Sequence, residues 1–469
     1  MRARILALAA LVPALAAAGV RPGYGGTVRI GVPAGAQPGD PTLDALAQRA
    51  VSAPLLEIDS RGQLVPGALA EVPAAEAGGR AFRLRLRPGL ADATGRPFGA
   101  AELSERLATL LSRDTPSPHA WVALPILGAD AVLEGRAPLL AGVQVLSASE
   151  LLLTLAFPLP ELPWLLATLP LAVPNAGPFL AASRRSPSDP LLLRANEHHH
   201  RGRPFADAVE LRPVDARGAA RQLAQGGLDL VLRPDAAGGR PRPASPPLTA
   251  TVAVLHRARL GAGAEAVRRA LGSLDRSELA RRFVRGPAEP LATLVPPAIL
   301  PGAPAAAPHA ATPAVGPARV ALLADAAAPD QRPLAERIQV KLFDAGVRAT
   351  VELVDHARYA QRLASGEYDV ALLSVSVAGL RPALAAGQIV FAARGPAAAR
   401  RAMAELAGLS GEAAVAAADR LARDLDLAPL VASGLRASLG PALQGFTPRP
   451  DGTFDPGELW LLSGGGGPP

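Results

Sequence analysis

The sequence predicts an α/β protein made of more than one structural unit, and three observations support this. Between residues 54 and 174, short segments of alternating polarity indicate an antiparallel region. Between residues 320 and 375, strands and helices alternate in the order of a parallel βαβαβ unit. A chain of 469 residues is also too long for one ordinary core.

Several predicted strands in the first half have one apolar and one polar face. Residues 27–32 alternate in this way, and residues 81–88 alternate phenylalanine and leucine with arginine. Two further strands, at 143–145 and 151–155, flank a short polar segment and predict a hairpin. These strands define the antiparallel region.

The second half predicts a more regular alternation, in which Asp330 would cap a helix and Gly346 would end it. The predicted elements are a helix over 265–285, a strand over 320–323, a helix over 331–345, a strand over 347–353, a helix over 356–365 and a strand over 368–375. Two proline-rich segments, 238–247 and 301–317, are interpreted as linkers or exposed spacers.

The charge of the chain does not indicate a nucleic-acid partner. The net charge is +7, and every basic residue except Lys341 is an arginine. No run of five like charges and no basic patch interleaved with aromatic residues occurs, and a nucleic-acid groove would need such features. We therefore interpret the arginines as a solvated surface.

The N-terminal residues 1–19 are predicted to be a secretory signal peptide. Arg2 and Arg4 precede an apolar stretch, Ile5–Ala18, which ends in small residues. The stretch is too short for an ordinary membrane span. The chain has no cysteine, which excludes a lipid-anchored N-terminal cysteine, thiolate metal sites and thiol catalysis. We expect an exported protein that resides in the periplasm.

No motif predicts catalysis or a cofactor. The sequence has no G-x-S-x-G, no H-E-x-x-H and no phosphate-binding loop. His198, His199 and His200 are adjacent, and three consecutive side chains of a regular element cannot all point at one ion. The prediction is therefore a protein that is not an enzyme and needs no metal or cofactor.

Eight passages occur in an order that is typical of one protein family. They are Gly25–Ile30, Pro54–Asp59, Leu64–Ala70, Asn175–Phe179, Ala195–Pro204, Val267–Arg276, Ala335–Gly346 and Leu363–Asp369. Together they resemble the family 5 extracellular solute-binding proteins, the periplasmic components of peptide and nickel ABC importers. Each passage is short, and their shared order over nearly the whole chain carries the resemblance.

The resemblance implies a two-lobed periplasmic-binding-protein fold of type II, with an extra antiparallel subdomain in the first lobe. The first lobe would combine residues 25–53, 175–250 and 424–469. The insertion would be 54–174, and the second lobe 251–423. This division agrees with the antiparallel and parallel regions predicted from the residues themselves.

The carboxyl end of the strand at 368–375 is the expected ligand site, because ligands bind beyond the carboxyl ends of the strands in open α/β sheets. This rule and the resemblance both select Ser374, Val375, Ser376 and Val377. Peptide binders of the family usually have a tryptophan and an aspartate here, and both are missing. A peptide ammonium would therefore need another acid to offset its desolvation.

Three further residues are candidates because they lie in passages that reach the cleft in the resembling family. Trp121 would contact the ligand or pack in the core. Gly177 and Phe179 belong to the passage that is similar to the family's G-T-G-P-[FY], and Gly177 would serve a tight backbone turn or a ligand contact.

The function that the resemblance implies is capture of a small solute, peptide-like or a metal chelate, by hinge closure. The protein would act as a monomer and deliver the solute to an ABC permease in the inner membrane. The alternative is a degenerate member that no longer transports and acts as an interaction or sensory partner. Convergent polar groups in the pocket would favour transport, and a pocket that is apolar or filled would favour the alternative.

Overall fold

The structure is a computed structural model, and the part of the chain that it describes has several gaps. The described residues are 21–33, 41–92, 94–114, 117–168, 171–182, 189–232, 240–242, 246–302, 319–328, 330–434 and 436–462. The predicted signal peptide at 1–19 lies outside these ranges, as do half of the proline-rich segment at 238–247 and residues 303–317 of the segment at 301–317.

The chain begins in a first lobe and then forms the insertion. The first two elements are β1 (Thr27–Pro33) and α1 (Pro41–Val51). The insertion contains β2 (Leu56–Ile58), β3 (Leu64–Pro66), β4 (Ala75–Glu76), β5 (Ala81–Arg85), α2 (Ala100–Thr109), α3 (Ala129–Leu133), β6 (Val143–Ser147), β7 (Glu150–Thr154) and α4 (Leu162–Leu166). Its sheet has the antiparallel order β4-β5-β7-β6, and the predicted hairpin of β6 and β7 is confirmed. The predicted faces of β5 are also confirmed, since Phe82 and Leu84 are buried and the alternating Arg83 and Arg85 are exposed.

The chain then returns to the first lobe. The elements there are β8 (Phe179–Ala181), β9 (Leu191–Ala195), β10 (Ala208–Val214), α5 (Ala216–Ala224), β11 (Leu230–Leu232) and β12 (Arg240–Arg242). Strand β1 lies between β10 and β11 and is parallel to both. The apolar core of this lobe includes Val28, Ile30 and Phe179.

The second lobe is built on a six-stranded sheet. Its elements are β13 (Thr249–Leu255), α6 (Arg257–Leu260), α7 (Ala264–Gly272), α8 (Arg276–Phe283), β14 (Ala288–Pro290), β15 (Arg319–Asp325), α9 (Gln331–Asp344), β16 (Arg348–Val354), α10 (His356–Ser365), β17 (Val370–Ser376), α11 (Pro382–Arg394), α12 (Pro396–Leu406), α13 (Gly411–Asp424) and β18 (Leu427–Ser433). The strand order is β14-β18-β13-β17-β15-β16. Strand β15 is parallel to β16 and β17, which confirms the predicted βαβαβ unit.

The C-terminal segment completes the first lobe. It contains β19 (Ala437–Leu439), β20 (Leu443–Gln444) and β21 (Trp460–Leu461), and β19 pairs with β11 and β12. The resemblance implies a return at residue 424, whereas β18 still pairs with β13 and β14 in the second sheet. The described chain therefore crosses between the lobes twice, once between β12 and β13 and once between β18 and β19.

Two local predictions in the second lobe were wrong. The single helix expected over 265–285 is divided into α7 and α8, because the Asp275 carboxylate accepts the backbone N–H of Glu278 (3.0 Å) and begins a new helix. Asp330 precedes α9 but makes no capping bond to it, and its carboxylate accepts the backbone N–H of Arg285 (3.1 Å). The end of α9 at Gly346 is confirmed, since that glycine has a φ of 82°.

One apolar cluster crosses from the insertion into the second lobe. It includes Leu103 and Trp121 of the insertion together with Val252, Met403 and Leu421 of the second lobe. A separate cluster fills the space between the second sheet and α7 and α9. The insertion is thus joined to the second lobe by a shared core. No helix in the described ranges is long and apolar enough to cross a bilayer.

The cap of α8 can be tested by the substitution Asp275→Ala, which removes the acceptor for the Glu278 N–H. We expect a loss of about 1 kcal/mol in the free energy of unfolding, measured by urea denaturation. Ser410→Ala is the matched control, because Ser410 precedes α13 without a side-chain capping bond. An equal loss in both variants would contradict the role of Asp275 as the cap of α8.

Candidate ligand site

Parallel strands bring their carboxyl ends to one edge of the second sheet. Strands β15, β16 and β17 end there with Asp325, Val354 and Ser376. Strand β13 begins at the same edge, since Thr249 pairs with Ser376. The crossings between the lobes leave from this edge, so it faces the junction of the two lobes.

The four predicted residues of β17 and its continuation differ in exposure. Val375 and Val377 are buried, and Ser374 is half-buried. Ser376 is exposed, and its backbone carbonyl accepts a hydrogen bond from Gln388 Nε2 (2.9 Å). Of these four residues, Ser376 is therefore the one whose side chain is open to a solute.

A polar network lies behind this edge. The Ser374 hydroxyl is 3.0 Å from the Thr251 hydroxyl, and it accepts a hydrogen bond from Gln331 Nε2 (3.2 Å). Gln331 Oε1 accepts the backbone N–H of Asp325 (2.7 Å). Buried polar groups that are satisfied in this way fix the geometry of the strand ends.

The network ends in an oriented imidazole. Asp325 Oδ2 lies 2.7 Å from His356 Nδ1, while Asp325 Oδ1 accepts the backbone N–H of Ala327 (2.9 Å). The Asp325 side chain is buried, whereas half of the His356 side chain is exposed. A carboxylate at Nδ1 holds the ring so that Nε2 faces outward. Neither residue was selected from the sequence, because both residue types are common outside ligand sites and the two lie on different elements, Asp325 at the end of β15 and His356 at the start of α10.

Trp121 does not lie on an open surface. Its side chain is 1% exposed and belongs to the cluster that crosses from the insertion into the second lobe. The short 3₁₀ helix that carries it, Ala120–Val122, packs against α11 and α12. This position favours the packing role that the sequence left open.

Gly177 and Phe179 also lie inside the protein. Phe179 is fully buried in the core of the first lobe. A Cβ atom on Gly177 would lie 2.5 Å from the backbone nitrogen of Ser52 and 2.6 Å from the carbonyl oxygen of Ala50, so this glycine permits a close backbone approach. The ligand contact predicted for each of these residues stays a prediction, and the structure does not bring them together with Ser376.

Among the residues that the structure describes, the three histidines at 198–200 are not part of a metal-binding group. The described residues contain no group of three or more histidine, cysteine, aspartate or glutamate side chains with metal-binding geometry. Burial, reinforced by His199 and Arg201, lowers the pKa of His200 to about 4. His200 is therefore neutral at physiological pH and stacks edge-on against His199 (ring centroids 4.4 Å).

A buried charge network attaches the insertion to the first lobe. Glu57 of β2 accepts a hydrogen bond from Arg201 (2.8 Å) and lies 3.6 Å from Arg449 of the C-terminal segment. Arg449 also donates to Asp455 (3.0 Å). Burial opposes the charge of Arg449, but the carboxylates of Asp455 and Glu57 outweigh it and raise the pKa of the guanidinium. Both Glu57 and Arg449 are buried, and each also has a second partner of opposite charge, Arg201 for Glu57 and Asp455 for Arg449.

A cavity of about 520 Å³ is lined by residues of both the insertion and the second lobe. The guanidinium of Arg381, at the start of α11, stacks on the ring of Trp164 in α4, with its central carbon 3.6 Å from the ring centroid. Glu161 Oε1, also beside α4, accepts the backbone N–H of Gly408 (2.7 Å). An ion pair of Asp130 with Arg400 joins the same two units.

A chain with two lobes and an inserted subdomain has the architecture of a solute-binding protein, and comparison with known families agrees. The family model described as "Bacterial extracellular solute-binding proteins, family 5 Middle" matches residues 63–386, more than half of the chain. The chain belongs to this family of solute-binding proteins. No curated protein sequence matches the chain.

Solved structures support the same fold. The chain superposes on Haemophilus influenzae OppA in complex with the peptide RPPGFSPFR with a TM-score of 0.75, at 16% identity, over 93% of this chain and 99% of that one. It superposes on the Escherichia coli murein tripeptide binding protein MppA with a TM-score of 0.72, at 17% identity, over 93% and 98% of the two chains. The unliganded open form of MppA gives 0.60, at 17% identity, over 93% and 97%. The predicted two-lobed periplasmic-binding-protein fold is confirmed.

The charge network can be tested by Arg449→Leu, which leaves Glu57 buried beside the more exposed Arg201 alone. We expect a loss of about 3–5 kcal/mol in the free energy of unfolding, measured by urea denaturation. The double variant Glu57→Leu/Arg449→Leu should recover a large part of this loss, because it removes both buried charges. Equal stability of the single and double variants would contradict the coupling.

Proposed function

We propose that this solute-binding protein is the periplasmic receptor of an ABC importer and captures a short peptide or another small solute. Two lobes joined by two crossings, one between β12 and β13 and one between β18 and β19, can open and close relative to each other. The closed form would be recognised by a permease in the inner membrane. The protein would act as a monomer, without covalent change to the solute and without a cofactor.

The observation that carries this proposal is the polar edge of the second sheet at the junction of the lobes. Exposed Ser376 lies at this edge, and His356 is oriented there by Asp325. Groups held by buried partners are suited to recognise a ligand because they need little ordering when it binds. The edge also provides polar contacts in place of the missing tryptophan and aspartate.

The structural relatives suggest which solutes to test first. OppA of H. influenzae was solved with a nine-residue peptide, and MppA binds a murein tripeptide. In this chain, Asp325 ends β15 at this edge, but one of its oxygens already lies 2.7 Å from His356 Nδ1. We therefore propose a peptide-like solute whose recognition does not depend on a free ammonium at this edge.

A second candidate function is supported by one observation. The face formed by α11 and α12 is covered by the apolar side chains of the insertion, including the buried Trp121. A permanently covered face would suit a member of the family that no longer transports and acts as an interaction or sensory partner. The two candidates differ in whether a small solute stabilises the folded protein.

The discriminating experiment is thermal unfolding in the presence of peptides, nickel and iron chelates, and sugars. A solute at about one hundred times its dissociation constant should stabilise the native state by about 2.7 kcal/mol, because it binds the folded form alone. A shift with one chemical class supports the receptor. The absence of a shift with every class, from a folded protein, supports the interaction partner.

The position of the site can be tested by Ser376→Phe, which places a ring on the exposed edge of the second sheet. We expect the affinity for the solute found in the screen, measured by calorimetry, to fall at least tenfold. The unfolding temperature without solute should change little. Ser365→Phe is the matched control, because exposed Ser365 ends α10 at the opposite edge of the sheet. Unchanged affinity in Ser376→Phe would place the solute elsewhere.

A further inference from the structure

We propose that the cavity between the insertion and the second lobe is a binding site for a small zwitterion, such as a free amino acid. Arg381 would hold its carboxylate and Glu161 its ammonium group. The inference goes beyond the proposed function, because none of the residues predicted to contact the imported solute lines this cavity.

The cavity has the size and the lining of a ligand site. Its volume of about 520 Å³ lies within the range of about 300–1,000 Å³ that is usual for small-molecule sites. Ile299, Leu300 and Leu409 provide apolar walls from the second lobe, and Pro160 and Trp164 provide them from the insertion. A few charged groups among apolar walls are the arrangement that orients a small ligand.

Arg381 presents a guanidinium whose edge is largely unused. Its face is covered by the Trp164 ring, and Nη1 donates to the carbonyl of Leu380 (3.1 Å). Among the described residues, its other N–H groups have no hydrogen-bond partner. Stacking leaves these donors in the plane of the group, where they match the two oxygens of a carboxylate. Burial lowers the pKa of Arg381, but a guanidinium remains charged at neutral pH.

Glu161 provides the opposite charge on the same wall. One oxygen accepts the Gly408 N–H, while Oε2 is shielded from solvent and has no hydrogen-bond partner in the described parts of the chain. An unpaired carboxylate oxygen that has lost its water is unfavourable, and an ammonium group in the cavity would supply the missing donor once a rotation of the Glu161 side chain turns this oxygen toward it.

The pair of charges selects a zwitterion. Glu161 and Arg381 both line the cavity but form no ion pair with each other within 4.0 Å. A simple anion would be repelled by Glu161, and a simple cation by Arg381. A ligand that has both charges satisfies both groups, and the apolar walls favour an aliphatic side chain.

The probes that test this site are L-leucine, leucinamide, which lacks the carboxylate, and 4-methylpentanoate, which lacks the ammonium. Isothermal titration calorimetry of the full chain at pH 7 should show L-leucine binding at least tenfold more tightly than either analogue. Equal affinity for the three probes would overturn the proposal, as would the absence of binding by a folded protein at millimolar concentrations.

Two conservative variants test which residue binds the ammonium group of the ligand and which binds its carboxylate. E161Q keeps an oxygen for the Gly408 N–H and should bind L-leucine at least tenfold more weakly, with no advantage over 4-methylpentanoate. R381K keeps the positive charge but loses the paired donors, and it should bind L-leucine no more tightly than leucinamide. The controls E405Q and R401K alter an exposed ion pair on α12 outside the cavity and should bind L-leucine as the unaltered chain does.

A further comparison distinguishes the cavity from the site that is proposed for the imported solute at the edge of the second sheet. Ser376→Phe should leave L-leucine binding unchanged, whatever the screen for the imported solute finds. If E161Q and R381K bind L-leucine as the unaltered chain does, the residues only hold the two units together, and the proposal is wrong. If Ser376→Phe abolishes L-leucine binding, the amino acid occupies the edge of the sheet and the cavity is not its site.

Discussion

The apolar contact between the insertion and the second lobe is the interaction on which the arrangement of this molecule depends. The contact is a continuous core that includes Trp121 and Met403, and the burial of apolar surface in it is a large favourable term. The burial of apolar surface is non-directional, so it does not by itself fix the orientation of the two units. Polar contacts at its margin, among them Asp130 with Arg400 and Gly408 with Glu161, define the relative position of the two units.

The elements predicted best were those whose sequence period depends on one buried face. Strand β5 and the βαβαβ unit were recognised in this way, because alternation and helical spacing are local properties. The return to the first lobe was misplaced because Leu427–Ser433 is an apolar run, and the sheet to which it belongs is decided by tertiary pairing. The helix over 265–285 was divided because the cap at Asp275 competes with the helical period.

The site was less predictable than the fold. The rule for strand ends selected Ser374 and Ser376 correctly as residues of the sheet edge, but it could not show which of the two side chains is open. Trp121 and Phe179 were selected by residue type and passage, and both are buried. Glu161 and Arg381 come from segments that are distant in sequence, so no spacing pattern indicates that they line one cavity.

The near absence of lysine and the absence of cysteine have a practical consequence for this protein. Lys341 lies on α9, is partly exposed and pairs with Asp344, and no other side chain of the sequence has a primary amine. Amine-directed reagents would therefore modify a single side chain, on the outer surface of the second lobe. An introduced cysteine would be equally unique. Two different dyes can be attached at chosen points, so that energy transfer between them reports directly on the distance between the lobes.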